Sequence, residues 1–137
     1  MNETDYDAVV ALWTAAGLPY RPLGRDSREH VSKEIRGPHS VFLVAERDGN
    51  IVGSLLGTID GRKGWVNRLA VAPSQRNRGL AKALVAAAEE EFRSKDALVF
   101  SCLIHSDNGP SLALFKDLGY EEDPTVVYLS KREGPDS

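Results

Sequence analysis

A β-hairpin in the middle of the chain limits the possible folds more than any other sequence feature. Two apolar runs, Val41–Glu46 and Ile51–Ile59, are separated by only the four residues Arg47-Asp48-Gly49-Asn50. The Asp-Gly pair favours a tight turn, because both residues tolerate the positive φ angles that such turns require. The two runs are therefore predicted to pair antiparallel, which excludes a purely parallel sheet.

A third strand, a long helix and a fourth strand are predicted after the hairpin. The run Trp65–Ala72 is typical of a strand, and Pro73 must end or bend it. Gly79–Arg93 is predicted to be an amphipathic helix, because apolar residues recur there at intervals of four. Ala97–Ile104 is almost continuously apolar, as expected of a strand that is covered on both faces.

The remaining segments complete the predicted order α-α-β-β-β-α-β-α-β. Helices are predicted over Tyr6–Ala16 and over Ser27–Arg36, where Ser27 is the N-cap. Asn108 can cap a last helix, Gly109–Leu118, and Thr125–Ser130 is predicted to be a closing strand. The sequence thus predicts an α/β (α+β) fold with a mixed, mostly antiparallel central sheet flanked by helices.

Length and composition exclude several classes of protein. The 137 residues suit one domain, predicted over residues 1–133, and residues 134–137 are expected to be a disordered tail. A net charge of −3 argues against bulk binding to nucleic acid or to an anionic membrane. A single cysteine allows no intrachain disulfide, and no cluster of His and Cys predicts a metal site. Without a recognisable signal peptide or an apolar run long enough to span a membrane, the protein is expected in the cytoplasm.

The segment between the third strand and the long helix carries the clearest chemical signal. The helix lacks a Ser, Thr, Asp or Asn at its start, so its first N–H groups are expected to find no side-chain cap. Small residues at Gly79 and Ala81 leave room for a ligand, and Arg76, Arg78 and Lys82 add positive charge. This combination predicts a cradle for a diphosphate. The alternative is a solvated basic turn that merely opens a helix.

Two motifs together resemble one known family, the GNAT superfamily of N-acetyltransferases, and most closely its small bacterial YpeA-like subgroup. The first motif is Leu69-Ala70-Val71-Ala72-Pro73 followed by Arg76-x-x-Gly79-x-Ala81, and it is similar to the acetyl-CoA signature of the superfamily. The second motif is Asn108-x-x-Ser111-x-x-Leu114-Phe115-x-x-x-Gly119-Tyr120, and it is similar to N-x-x-A-x-x-L-Y-x-x-x-G-F. The Walker and Rossmann glycine patterns of other nucleotide-binding folds are missing.

The resemblance implies the acyl-CoA N-acyltransferase fold, here with its first strand short or missing. It also implies direct acetyl transfer from acetyl-CoA, as co-substrate, to the amine of a small molecule, without a metal. The alternative is a non-catalytic CoA-binding regulatory module of the same fold. The cofactor-binding residues that the resemblance implies are Leu69, Ala70, Val71, Arg76, Asn77, Arg78, Gly79, Leu80, Ala81, Lys82, Asn108, Ser111 and Phe115.

The chain departs from the family at both usual catalytic positions. Many members place a Glu on the third strand as the base, where this chain has Asn67 and Arg68. Many also use a Tyr to protonate the CoA sulfur, where this chain has Phe115. His105, which follows the fourth strand, is the candidate substitute base, with a surface or capping role as its alternative. Cys102 could accept an acetyl group but is expected to be inert core.

The acceptor site is expected between the N-terminal helices, their connecting loop and the third strand. Its candidate residues are Trp13, Tyr20, Asn67 and Arg68. An Arg68 that pointed into the cleft would favour an acceptor bearing a carboxylate. The first strand of the family fold is nearly absent from this chain. The strand that matches the second strand of the family is therefore expected to lie at an exposed edge of the sheet. Such an edge makes a homodimer possible, or it could be covered by the N-terminus.

Overall fold

Four strands form one mixed sheet in the computed structural model, which describes residues 1–137. The strands lie in the order β1-β2-β3-β4, and β1–β2 and β2–β3 pair antiparallel while β3–β4 pair parallel. Their bounds are β1 Ser40–Arg47, β2 Asn50–Ile59, β3 Lys63–Val71 and β4 Val99–Cys102. The predicted hairpin is confirmed, and its turn residues Asp48 and Gly49 have φ angles of 53° and 80°.

Four helices flank the sheet, and two short 3₁₀ turns, Glu3–Asp5 and Pro73–Gln75, accompany them. The predicted N-caps are confirmed: the Ser27 hydroxyl accepts a hydrogen bond from His30 N (3.2 Å), and the Asn108 side chain accepts one from Ser111 N (3.2 Å). The helices are α1 Tyr6–Ala15, α2 Arg28–Arg36, α3 Leu80–Ser94 and α4 Gly109–Asp117. None of them has the length and apolar character needed to cross a membrane.

Each face of the sheet carries its own apolar core. On the α3 face, Leu55, Val85 and Phe92 are fully enclosed, and on the α1 face Val9 and Trp13 are. Strand β3 comes very close to α3, since a Cβ placed on Gly64 would stand 2.3 Å from a ring carbon of Phe92. These two layers fix α1 and α3 on opposite sides of β3, the strand from which the functional site is built.

The prediction of a closing strand over Thr125–Ser130 is wrong. The segment forms no strand, and its apolar residues Val126–Leu129 are between 64% and 86% exposed. Strand β4 is also shorter than predicted and is not covered on both faces, because Val99 is 47% exposed. Both errors arise because a β-rich sequence forms a strand only where it can hydrogen-bond to a neighbouring strand. Strand β4 pairs with β3 alone, and Thr125–Ser130 pairs with no strand.

The chain termini lie against the rest of the molecule. The amino group of Met1 donates a hydrogen bond to Phe42 O (3.0 Å) on the outer strand β1, in keeping with cover of that edge by the N-terminus. The Asp136 carbonyl oxygen would stand 2.2 Å from a Cβ placed on Gly24 in the loop between α1 and α2. The division into a domain of residues 1–133 and a disordered tail stays a prediction.

Candidate functional site

The site begins where β3 parts from β4. The two strands pair only over Lys63–Val66 and Val99–Cys102, while β3 continues to Val71. At the point of parting, Leu56 of β2 lies opposite Arg68 and Gly57 lies opposite Val66, so Asn67 is an extra residue in the ladder. This is a β-bulge. Beyond it, the side of β3 that faces away from β2 borders an open gap with unpaired backbone groups.

The bulge also changes which side chains face which helix. In a regular strand Val66, Arg68 and Ala70 would share one face. Here Val66 packs in the core under α3, whereas Ala70 packs in the core under α1. Arg68, opposite Leu56 in the α1 core, therefore lies on the α1 face.

An uncapped helix start lies directly beyond the open part of β3. Asn77 and Gly79 have φ angles of 64° and 76°. Gly79 is the N-cap residue of α3, and no side chain accepts a hydrogen bond from the first N–H groups of the helix. Ala83 is the first residue whose N–H bonds into the helix, to Gly79 O at 3.0 Å. The N–H groups of the preceding residues therefore point out of the helix start, where the macrodipole favours an anion.

A cleft of about 270 Å³ opens at this helix start. Sequence reasoning missed two of its lining residues, Gln75 and Leu114. Gln75 directly precedes the basic turn, and Leu114 lies one helical turn after Ser111. Their positions next to the two motifs are the sequence signal that could have identified both residues. The full lining is Val71, Gln75, Arg76, Asn77, Gly79, Leu80, Ala81, Lys82 and Leu114.

The cations of the turn differ in how they are held. Arg76 donates a hydrogen bond to Ala16 O (3.4 Å) at the end of α1. Lys82 forms an ion pair with Asp117 at the end of α4, which lowers the pKa of Asp117. Arg78 is exposed and forms no ion pair. The residues at the opening of the cleft therefore carry a net positive charge, which favours binding of a diphosphate.

The second motif places α4 beside the gap. Asn108 serves as the N-cap of α4, and Ser111 lies in its first turn. Phe115 is buried, at 5% exposure, and packs edge-to-face on Tyr120 with ring centroids 5.0 Å apart. The Tyr120 hydroxyl donates a hydrogen bond to Glu89 (2.8 Å), and burial and this contact raise the pKa of Tyr120.

The two candidate reactive groups differ sharply. His105 lies in the exposed chain just after β4, and its side chain makes no hydrogen bond. Cys102 is half-buried, and burial raises the pKa of its thiol to about 11. The thiol is therefore protonated at neutral pH, which agrees with the expectation that Cys102 is inert.

Three of the four candidate acceptor residues come together on the α1 face. Trp13 is fully buried, and the centroid of its ring lies 5.9 Å from the centroid of the Tyr20 ring. The Arg68 guanidinium carbon lies 4.3 Å from the centroid of the Trp13 ring. Asn67 is exposed and instead donates a hydrogen bond from its side-chain amide to the Thr58 hydroxyl (2.9 Å).

A second cleft, of about 240 Å³, also reaches Thr58, and sequence reasoning missed it. Burial and the nearby Asp26 raise the pKa of Glu34, one of its lining residues. No charge periodicity or motif in the sequence marked this cleft. Its lining is Lys33, Glu34, Gly37, His39, Ser40 and Thr58.

Comparison with known proteins identifies the family. The model of the acetyltransferase (GNAT) family matches residues 8–120. The chain belongs to the GNAT acetyltransferase family. An acetyltransferase of Sodalis glossinidius is 31% identical over 128 residues, which cover 93% of this chain and 89% of that protein. An acetyltransferase of Yersinia pestis is 32% identical over 131 residues, or 96% of this chain and 91% of that protein. The GNAT protein described here is accordingly an N-acetyltransferase, and its place in the YpeA-like subgroup stays a prediction.

Solved structures of GNAT proteins share the fold. The aminoglycoside N-acetyltransferase AAC(6')-Iy in complex with CoA superposes with a TM-score of 0.78 at 23% identity, over 96% of this chain and 91% of that one. The PaiA N-acetyltransferase of Thermoplasma acidophilum in complex with coenzyme A gives a TM-score of 0.79 at 20% identity, over 92% and 89%. The predicted GNAT fold is therefore confirmed.

Proposed function

We propose that the protein transfers the acetyl group of acetyl-CoA directly to the amine of a small molecule. The observation that carries the proposal is the parting of β3 from β4 at Asn67, followed at once by the uncapped start of α3. The N–H groups and cations of Arg76–Lys82 would hold the diphosphate. The open backbone of Leu69–Val71 would pair with the amide groups of the pantetheine arm, as an added strand does.

The reaction requires an amine nitrogen to attack the thioester carbonyl carbon. The C–N bond forms, the C–S bond breaks, and CoA leaves as the thiol once the proton lost by the amine has reached its sulfur. Phe115 carries no proton to supply, so this transfer must use another group or water. We propose His105 as the base, because it comes three residues after β4, the strand that parts from β3, and is exposed to solvent.

A small acceptor agrees with the size of the space on the α1 face. The cleft beside Thr58 holds about 240 Å³ and carries charged and polar side chains but no apolar ones. One structural neighbour is an aminoglycoside acetyltransferase in complex with sisomicin, a small polycationic amine. We therefore place the acceptor between this cleft, Tyr20 and Asn67.

Release of thiol from acetyl-CoA, measured with sisomicin, spermidine, tyramine and lysine, tests the proposed function. At least one amine should turn over, and Ala81→Glu, which puts a carboxylate into the diphosphate cleft, should abolish that turnover. Ala87→Glu is the matched control, because Ala87 is exposed on the same helix and does not line the cleft. Equal activity of the two variants would disprove the assigned cofactor site.

The proposed role of His105 has its own test. His105→Gln should lower kcat by about 10²-fold, the lower end of typical general-base contributions. The KM for acetyl-CoA should stay the same, because His105 lies outside the diphosphate cleft. An unchanged kcat would exclude His105 as the base.

We further propose that the protein is a cytoplasmic homodimer. The single cysteine, which allows no intrachain disulfide, supports the location, because disulfides are rare in the reducing cytoplasm. The dimer is supported by the outer edge of β4, which has no partner strand, and by the exposed apolar residues Leu98, Leu103 and Val126–Leu129. A second copy of the chain would cover both.

A further inference from the structure

Arg68 is the most enclosed cation of the α1 face, and its contacts reach three separate parts of the chain. Its side chain is only 11% exposed. The guanidinium stacks on Trp13 of α1, and one of its nitrogens donates a hydrogen bond to Pro19 O. Another lies 3.7 Å from the Asp26 carboxylate, which is itself 6% exposed. Arg68 thus joins β3 to α1 and to both ends of the loop between α1 and α2.

Asp26 passes this connection on to the rest of the loop. Its carboxylate also accepts a hydrogen bond from Arg21 N (2.7 Å), and its carbonyl oxygen accepts one from the Tyr6 hydroxyl (2.6 Å). These contacts therefore fix the loop residues 17–27. Arg68 is the one charged residue of the sheet that takes part in them. On β3, Arg68 stands next to the bulge residue Asn67, where the gap opens.

Stability alone gives no reason for a guanidinium at this position. Burial lowers the pKa of Arg68, opposed by the attraction of Asp26. The Arg68 Nε is buried and has no hydrogen-bond partner. Replacing a buried ion pair with apolar side chains of similar volume is often neutral or stabilising. A methionine could cover Trp13, but only a planar fork of donors can tie two points of a loop at fixed angles.

We infer that Arg68 is a positioning residue, which holds the loop 17–27 in register with the gap so that a bound amine meets the thioester. This inference rests on the proposed function and deepens it. Because Asp26 and Trp13 already engage the guanidinium, Arg68 acts through the loop and does not bind a carboxylate of the acceptor. Its contribution belongs to the acceptor side of the reaction and not to the diphosphate cradle.

The test compares Arg68→Lys and Arg68→Met with the control Arg62→Lys, whose side chain is exposed and makes no contact through its guanidinium. The probe is whichever panel amine the native protein acetylates fastest. We expect kcat/KM for that amine to fall by about 10–100-fold in both Arg68 variants, the scale of an ångström-sized misplacement. The KM for acetyl-CoA should stay within twofold. In hydrogen exchange without substrate, residues 17–27 should exchange faster while α3 does not change.

Coupling to Asp26 distinguishes positioning from a merely structural role. If Arg68 acts through Asp26, Arg68→Lys should have a much smaller effect in an Asp26→Asn background than in the native protein. The inference would be overturned if the Arg68 variants had a lower melting temperature but the same kcat/KM for the amine and the same hydrogen exchange of residues 17–27 as the native protein. A selective loss for tyrosine over tyramine would also overturn it, because that result would show direct carboxylate binding.

The exchange measurement also separates this inference from the proposed function. If no amine turns over even in the native protein, the proposed function fails. Faster exchange of residues 17–27 in Arg68→Lys would then still support the positioning role, and unchanged exchange would still overturn it.

Discussion

At the scale of single residues, burial decides which candidate groups can react. The thiol of Cys102 has its pKa raised to about 11 by burial, so it is protonated throughout the physiological range. At pH 8 we expect iodoacetamide to alkylate it roughly 100-fold more slowly than a free cysteine, because the thiolate fraction falls tenfold with each unit. The rate should rise up to pH 11. Alkylation at the rate of free cysteine would show that the thiol is accessible and ionised.

The same raised pKa predicts how stability depends on pH. The unfolded thiol ionises at a lower pH than the folded one, so any stabilisation from the neutral thiol is present below about pH 9 and is lost between about pH 9 and 11. Cys102→Ala should lose less stability than the native protein across that interval, as measured by urea denaturation. A native protein and variant with parallel pH dependence would contradict the burial of this thiol.

At the candidate site, the local backbone features were predictable from the sequence, whereas the orientation of the side chains on β3 was not. The uncapped start of α3 and the basic turn before it follow from residues that are adjacent in sequence. The orientation of Arg68 depends on the bulge at Asn67, which shifts the following residues to the other face of β3. Alternation of side chains assumes a regular strand, so the sequence alone could not place Arg68 on Trp13.

At the scale of elements, the packing of α3 on β3 depends on a missing side chain. Phe92 is fully buried, and its ring occupies the space that a Cβ on Gly64 would need. Gly64→Ala should therefore lower the free energy of unfolding by about 1–3 kcal/mol, the usual cost of overpacking a core. Gly134→Ala is the matched control, because nothing lies within 4 Å of a Cβ there. Equal urea midpoints for the two variants would contradict this packing.

Elements with local signals were predictable, and those that depend on distant partners were not. Helix α1 ends one residue earlier than predicted, and the N-caps of α2 and α4 are the predicted ones, because caps and periodicity act within one or two turns. The wrong closing strand over Thr125–Ser130 has strong β propensity but no paired edge. Pairing across such a distance in sequence leaves no local trace.

At the scale of the whole molecule, the proposed dimer predicts a mass of twice the 15.0 kDa chain in sedimentation equilibrium. Leu129→Lys should shift the equilibrium toward monomer, because it puts a charge into the exposed apolar segment Val126–Leu129. Leu23→Lys is the control, since Leu23 is also highly exposed, at 79%, but belongs to the loop between α1 and α2 and not to that segment. A native protein that sediments as a monomer at micromolar concentration would exclude the dimer.

Binding at the start of α3 should stabilise the entire domain, because the cradle joins β3, α3 and α4. At a concentration 100 times its Kd, acetyl-CoA should add about 2.7 kcal/mol, which for a chain of this length raises Tm by about 10 °C. ATP also carries linked phosphates but has no pantetheine arm for the gap beside Leu69–Val71, so its shift should be much smaller. Ala81→Glu should remove the acetyl-CoA shift and Ala87→Glu should keep it, as scanning calorimetry can measure. Equal shifts from ATP and acetyl-CoA would mean that the helix start binds any polyphosphate, and that the gap between β3 and β4 plays no part in recognition.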